Sequence, residues 1–258
     1  MRRTVLALCA LGVVVSHRAS AQLLVDPLEI TLITAGNTRI PASISLSNAS
    51  DAAVQATITR QDWDRVENGD NRFLASGTSG ASCGAILSAS PLSIRVEAHS
   101  SRIIRVAAQN AATLTKECWD IFFVEEVPQR APLKGNSLQY IFRTGVKVYL
   151  APPGLARDGQ VEDMAVEDSS ATRRQVSIRF HNTGGMHLLS KGRLEFRRLD
   201  NTLAMQVPIA EFATLPGAVR KLGVDVPNGL APGDYVVLAL IDFGGAELVA
   251  GQIDYQAK

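Results

Sequence analysis

Residues 138–150 read LQYIFRTGVKVYL, and their pattern guides the interpretation of the whole chain. Apolar residues occupy positions 138, 140, 142, 146, 148 and 150, which is the period of a β-strand with one buried face. At about 3.3 Å per residue, the segment would extend roughly 43 Å. It is far longer than a usual strand of about five or six residues. The sequence therefore predicts a strand that one sandwich covers only in part.

Shorter segments with strand character precede this long strand. Residues 40–46 alternate apolar and polar side chains, and the dipeptide Asn68-Gly69 is typical of a hairpin turn between Trp63 and Phe73. Further strands are predicted at 53–63, 92–96, 102–107 and 119–127. This number of short strands, separated by turns, is typical of an immunoglobulin-like sandwich.

The sequence APPG at 151–154 interrupts the pattern, because two prolines remove ladder hydrogen bonds. Strand-like segments then resume at 175–180, 193–199, 218–226, 235–242 and 247–255. We therefore predict an all-β protein of two immunoglobulin-like domains, comprising residues 22–151 and 152–258.

The first residues have the features of a signal peptide. Arg2 and Arg3 precede an apolar stretch at 5–15, and Ala19-Ser20-Ala21 suits a signal peptidase that cleaves before Gln22. The stretch is shorter than the roughly 20 residues that cross a bilayer. We expect residues 1–21 to be removed and the mature protein to be exported, without stable membrane insertion.

Composition and motifs argue against nucleic-acid binding and catalysis. The 26 Lys and Arg against 25 Asp and Glu give a formal charge of +1, without a long basic run. No nucleophile–base motif or phosphate-binding glycine loop is recognisable. His181 and His187 flank a turn, and a metal there is a minor alternative to two surface histidines. We expect a protein that is not an enzyme and uses no cofactor or metal; an exported hydrolase is a further minor alternative.

Two cysteines remain once Cys9 leaves with the signal peptide. Cys83 and Cys118 lie in an exported chain, where cysteine pairs usually form disulfides. A zinc site is the poorer interpretation, because no CxxC motif or histidine cluster supplies the other ligands. We predict a Cys83–Cys118 disulfide.

The apolar side chains of Leu138, Tyr140 and Phe142 have two interpretations. They complete the core of their own domain, or they stand at an exposed edge until another chain takes them up. Exposed apolar edge strands invite β-augmentation, in which backbone hydrogen bonds provide affinity and alternate side chains provide selectivity. The residues alone leave both interpretations open.

An ordered set of motifs favours the second interpretation. It comprises SLSN at 45–48, the strand with Trp63, SPLSI at 90–94 followed by RIIRV at 102–106, residues 119–128 with their EVP ending, and GVKVY at 145–149. Over about residues 23–256 the chain resembles the periplasmic chaperones of the chaperone/usher pathway, which assemble pili. The resemblance implies an L-shaped pair of domains that holds fibre subunits and delivers them to an outer-membrane usher.

The resemblance also implies roles for individual residues. Leu138, Tyr140 and Phe142 match the donor strand that completes a subunit, and Lys147 matches the lysine that anchors the C-terminal carboxylate of the subunit. Thr31 occupies the position of a first-strand arginine that often assists this lysine. Glu117 and Asp242 match acidic members of an interdomain charge network.

The sequence leaves some alternatives about the assembly and its function. Ala151 replaces the arginine that links the acidic members of that network, so the interdomain contact is expected to differ. A self-capping homodimer of the free molecule is one alternative that the sequence leaves open. The alternative function is a secreted surface or carbohydrate-binding protein.

Overall fold

The computed structural model describes residues 23–34, 40–127, 141–170 and 173–257. These residues form strands and two single-turn 3-10 helices, Gly84–Ile86 and Ala111–Thr113. The strands are β1 (Leu23–Asp26), β2 (Glu29–Ile33), β3 (Ile40–Asn48), β4 (Val54–Arg65), β5 (Asn71–Leu74), β6 (Leu87–Ser90), β7 (Ser93–Val96), β8 (Ser100–Ala108), β9 (Cys118–Val127), β10 (Arg143–Ala151), β11 (Gly159–Ser170), β12 (Arg173–Asn182), β13 (Leu188–Arg198), β14 (Leu203–Thr214), β15 (Val219–Asp225), β16 (Gly233–Asp242) and β17 (Val249–Ala257).

Strands β1 to β10 form the first sandwich. One sheet has the order β1-β3-β8-β6, and the other has the order β2-β10-β9-β4-β5, with β7 also paired to β4. The chain passes from one sheet to the other at Pro27 and Leu28, between β1 and β2. Apolar side chains of both sheets are buried between them, among them Ile44, Ile104 and Phe122. Their alternation with exposed residues explains why these segments fold as strands.

Strands β11 to β17 form the second sandwich. Its sheets have the orders β11-β12-β15 and β14-β13-β16-β17. A separate core contains Ile178 and Phe180 from one sheet and Phe196 and Val237 from the other. The predicted all-β architecture of two sandwiches is confirmed, as is the disulfide between Cys83 and Cys118.

Each strand predicted from alternation overlaps a strand of the structure, and the predicted hairpin between Trp63 and Phe73 is the one that joins β4 to β5. Strands β1, β2, β6, β11 and β14 were missed. Irregular pairing explains two of these omissions. The register of β11 shifts between Val161 and Asp163, and the pairing of β13 with β14 is irregular between Ser190 and Gly192. A bulge interrupts the period of two, so these segments show no regular alternation in sequence.

Asn48, at the end of β3, is buried, and its side chain forms hydrogen bonds with the backbone of two neighbouring segments. Its Nδ2 donates to the carbonyls of Ala52, Val96 and Glu97 at 2.8, 3.1 and 3.1 Å, and its Oδ1 accepts from the Ser50 amide at 2.9 Å. Tripeptide 48–50 fits a glycosylation sequon, but this amide is used inside the protein.

We expect Asn48→Ala to lower the free energy of unfolding by about 1 to 3 kcal/mol, because buried backbone groups lose their partner. Chemical denaturation measures the change. Ser43→Ala, at an exposed position of the same strand, is the matched control and should change stability by less than about 0.5 kcal/mol. Equal stabilities of the two variants would contradict the structural role of Asn48.

Candidate functional site

The first half of β10 has an open edge. Antiparallel pairing with β9 extends along the strand from Arg143 to Leu150. Parallel pairing with β2 on the other side begins at Lys147, whose amide donates to the Leu28 carbonyl at 2.9 Å. Within the described residues, positions 143–146 therefore have no strand neighbour on that side. Such an edge offers backbone donors and acceptors to another chain.

The even-numbered side chains of this segment are buried near its end and more exposed near its start. Val146 and Val148 are fully buried, whereas Phe142 is only half-buried and lies outside the described core cluster. The Phe142 carbonyl accepts from the Glu126 amide at 3.0 Å, so the chain still runs beside β9 where the regular ladder ends. Residues 138–140 lie outside the described residues, and the donor role of Leu138 and Tyr140 stays a prediction.

Lys147 lies on the opposite face of β10, near the buried ring of Trp63. Its Nζ is 4.9 Å from the ring centroid, and no hydrogen bond or ion pair of this ammonium is found in the described part of the chain. Burial lowers the pKa of Lys147, the positive charge of Arg65 lowers it further, and Glu29 opposes both effects. A partly desolvated, unpaired ammonium favours binding of an anion.

The residues of β2 nearest to Lys147 are not those that the sequence emphasised. The register places Glu29 opposite Lys147, and Thr31 opposite Tyr149. The exposed Thr31 hydroxyl is 3.5 Å from Nε2 of His187. Thr31 thus contributes a neutral hydroxyl to the cleft, and its part in anchoring a carboxylate stays a prediction.

A buried carboxylate joins the two sandwiches. Oε2 of Glu117 accepts from the His187 amide at 2.6 Å, and Oε1 is 2.7 Å from Nδ1 of the same histidine. The His187 ring stacks on Tyr149 with a centroid separation of 3.7 Å. The structure does not bring Asp242 to Glu117: Asp242 ends β16 and accepts from the Gly244 amide at 2.9 Å. With alanine at 151, that position supplies no cation to link the two acids, and His187 is the partner of Glu117 instead.

The hairpin between β4 and β5 makes a second contact between the sandwiches. Gly69 closes its turn with a φ of +95°, a conformation that favours glycine. The Glu67 carbonyl accepts from the Lys221 amide and from Arg220 Nη1, each at 2.8 Å. The Glu67 carboxylate is 2.7 Å from Arg179 Nη1. The sandwiches on either side of Lys147 therefore contact each other through this hairpin as well as through Glu117.

The histidines beside the turn at 182–185 are paired within the protein. Nδ1 of His181 is 2.7 Å from Glu162, and His187 contacts Glu117. Across the described residues, no group of three or more His, Cys, Asp or Glu could hold a metal ion. The same residues include no helix that is long and apolar enough to cross a membrane.

Comparison with solved structures shows that this fold is that of fimbrial chaperones. The YadV chaperone is 19% identical, with 91% of this chain and 100% of that chain covered and a TM-score of 0.51. The class 5 fimbriae chaperone CfaA is 12% identical, with coverage of 89% and 98% and a TM-score of 0.54. The CsuC–CsuE chaperone–tip adhesion subunit complex of Acinetobacter baumannii is 12% identical, with 91% of this chain and 98% of that chain covered and a TM-score of 0.52.

The sequence itself identifies the family. Residues 27–156, half of the chain, match the model of the pili and flagellar-assembly chaperones, PapD N-terminal domain. The chain therefore belongs to the PapD family of pilus-assembly chaperones, as its motifs predicted. No curated protein sequence matches it.

Sequence reasoning missed three residues of the cleft, Glu29, Arg65 and His187. Strand parity was the available signal for the first two, because Glu29 is two residues before Thr31 and Arg65 is two residues after Trp63. His187 lies in the other sandwich, and no sequence pattern indicated that it meets Glu117. That contact depends on how the sandwiches dock.

Proposed function

We propose that this chain is a periplasmic chaperone that binds fibre subunits by donor-strand complementation and delivers them to an outer-membrane usher. The observation that supports it most is the open edge of β10, which combines unpaired backbone groups at 143–146 with the half-buried Phe142. A subunit strand that pairs with this edge would cover both. Chaperone–subunit complexes among the solved structures of this fold support the same role.

The apolar side chains supply the gross binding energy in this proposal. Leu138, Tyr140 and Phe142, at about 150 Å² each, contribute roughly 10 kcal/mol at 25 cal/mol per Å², before the entropy of association is subtracted. The backbone hydrogen bonds of the added strand provide further affinity. Together these contributions are large enough to hold an incomplete subunit.

Lys147 supplies the polar contact. It faces the cleft from β10, which begins directly after Phe142, and no ion pair of its ammonium is found among the described residues. We propose that it binds the C-terminal carboxylate of the subunit, which fixes the register of the added strand. We propose that Thr31, on the neighbouring strand β2, assists Lys147 in binding this carboxylate.

The remaining parts of the proposal concern the whole chain. Residues 1–21 act as a signal peptide, and residues 22–151 and 152–258 form the two domains. The open edge of the free chaperone is covered in a self-capping homodimer. Binding of a subunit displaces the second copy.

The proposal is tested by capture of a fibre subunit encoded beside the chaperone. Phe142→Asp places a charge where an apolar side chain enters the subunit, so we expect co-purification of the subunit to fall at least about 100-fold. Tyr140→Asp should have a similar effect. Circular dichroism checks that each variant remains folded.

Ile141→Asp is the matched control, since Ile141 is exposed and has the opposite parity. Capture should persist in this variant if alternate side chains enter the subunit. Undiminished capture by Phe142→Asp and Tyr140→Asp would refute the donor-strand role. Binding of sugars without any subunit partner would favour a carbohydrate-binding protein instead.

A further inference from the structure

The imidazole of His187 lies between two carboxylates of the other sandwich. Its Nδ1 is 2.7 Å from Oε1 of Glu117, and its Nε2 is 3.8 Å from Oε1 of Glu29. A neutral imidazole donates a hydrogen bond from only one nitrogen, whereas an imidazolium donates from both. The charged form of His187 is therefore the one that attracts both carboxylates.

This cluster is shielded from solvent. The side chain of Glu117 is fully buried, and that of His187 is 12% exposed. The ring of His187 stacks on Tyr149, and the Thr31 hydroxyl lies 3.5 Å from its Nε2. Buried ion pairs are screened much less by salt and water than pairs on an open surface. One proton on His187 therefore has a large effect on the attraction between the sandwiches.

The phenol stacked on His187 does not change charge with it. Burial raises the pKa of the Tyr149 phenol, and the charge of Glu29 raises it further. Arg65 opposes the rise, and Glu117 adds to it. The phenol therefore stays neutral between pH 5 and 8, the range in which histidine side chains change charge.

The described residues place no second cation in ion-pair contact with Glu117. Its carboxylate oxygens accept from the backbone amide of His187 and face the ring of the same residue. Lys116, next to it in sequence, is exposed and forms no ion pair with a described residue. Lys147 lies opposite Glu29 in the strand register. Loss of the proton from His187 would therefore leave the buried carboxylate of Glu117 with neutral donors only, which is unfavourable.

We propose that protonation of His187 controls how firmly the two sandwiches are held together at Glu117. The imidazolium closes this contact at mildly acidic pH, and its deprotonation loosens the contact as the pH rises. The ion pair between Glu67 and Arg179 keeps the sandwiches joined when the Glu117 contact opens. The inference goes beyond the proposed function, because it concerns the contact between the sandwiches of the free chain.

The test is amide hydrogen exchange of the mature chain without a subunit, followed by ¹H–¹⁵N NMR at pH 5 and pH 8. The His187 amide donates to Glu117 at 2.6 Å, so its protection factor reports opening of this contact. Protection factors are corrected for the pH dependence of exchange in an unfolded chain. We expect the protection factor of this amide to fall at least about tenfold from pH 5 to pH 8.

Three variants identify the group responsible. His187→Asn retains a neutral donor but cannot be protonated, so the amide of residue 187 should have low protection at both pH values. Glu29→Gln removes the second carboxylate, so the loss of protection should move to lower pH; this variant keeps the test valid if His187→Asn disturbs the stacking on Tyr149. His99→Asn is the matched control and should keep the full pH dependence, because His99 pairs with Asp51 at 2.8 Å within one sandwich.

Two results would overturn the inference. One is equal protection of the His187 amide at pH 5 and pH 8 in the unaltered chain. The other is a pH dependence that persists undiminished in His187→Asn. Neither result bears on the proposed function, which subunit capture measures separately.

Discussion

Replacing Cys83 and Cys118 together by alanine is expected to lower the free energy of unfolding by about 3 to 4 kcal/mol. The disulfide joins residues 35 positions apart, and in the chain-entropy model its loss restores that much freedom to the unfolded chain. Both cysteines also belong to the buried core, so the missing sulfur atoms add a smaller packing cost. Denaturant unfolding, followed by tryptophan fluorescence, measures the difference.

A reductant provides the control for this prediction. The unaltered protein, unfolded and refolded with dithiothreitol, should approach the stability of the double variant, whereas the variant should not respond. Effects on subunit capture are expected as well, because Cys118 directly follows Glu117, which contacts His187. Equal stability of the oxidised protein and the double variant would contradict the proposed stabilisation.

Asp120→Asn is expected to remove a pH dependence of stability and to stabilise the protein at pH 8. Asp120 lies in the fully buried part of β9, with Oδ2 3.7 Å from Arg60 Nε. Burial raises the pKa of Asp120 from 3.8 to about 6, although Arg60 opposes the rise. The ionised carboxylate is therefore unfavourable in the folded state, and asparagine resembles the neutral form.

The sign of the effect follows from the raised pKa of Asp120. Its contribution to stability is fully present below pH 3.8 and is lost as the pH rises through about 6. From pH 8 to pH 5, the free energy of unfolding of the unaltered protein should gain about 1.4 kcal/mol from this group, and the variant should lack this gain. Denaturant titrations at both pH values measure it. A parallel pH dependence in both proteins would contradict the assignment.

Asp62→Asn is the matched control, because Asp62 is also buried but its pKa is shifted in the opposite direction. Burial alone would raise the pKa of Asp62, but hydrogen bonds from Ser79, Gly77 and Ser82 outweigh this effect and lower it. The stability that Asp62 contributes is present above pH 3.8 and is lost at lower pH. The Asp62 variant should therefore be destabilised at pH 8. It should keep most of the pH dependence between pH 5 and 8, because burial contributes more to the raised pKa of Asp120 than the charge of Asp62 does.

Much of the fold was predictable because it depends on local alternation. Segments such as 40–46 and 119–127 carry apolar side chains that bury on one face or both, and they lie within β3 and β9. Strand β14 was not predictable, because few of its side chains are buried and its pairing with β13 is irregular. It forms a strand because β13 presents unpaired backbone groups to it.

The candidate site was predictable only along β10. Phe142 and Lys147 have opposite parity on one strand, so the sequence alone separates an apolar face from a cleft face. Glu29 and Arg65 lie in the same region as Lys147 because of the strand order β2-β10-β9-β4, which sequence patterns did not reveal. The pairing of Glu117 with His187, in the other sandwich, was not predictable for the same reason.

The amino-acid sequence by itself determined most of the strands, their two-faced character, the disulfide and the family, because each depends on neighbours along the chain or on ordered motifs. Only the tertiary structure decided which charges share the cleft: Glu29 beside Lys147, Arg65 near the same indole ring, and His187 on Glu117. Such contacts join residues far apart in the chain, and strand register and the docking of the sandwiches set their distances.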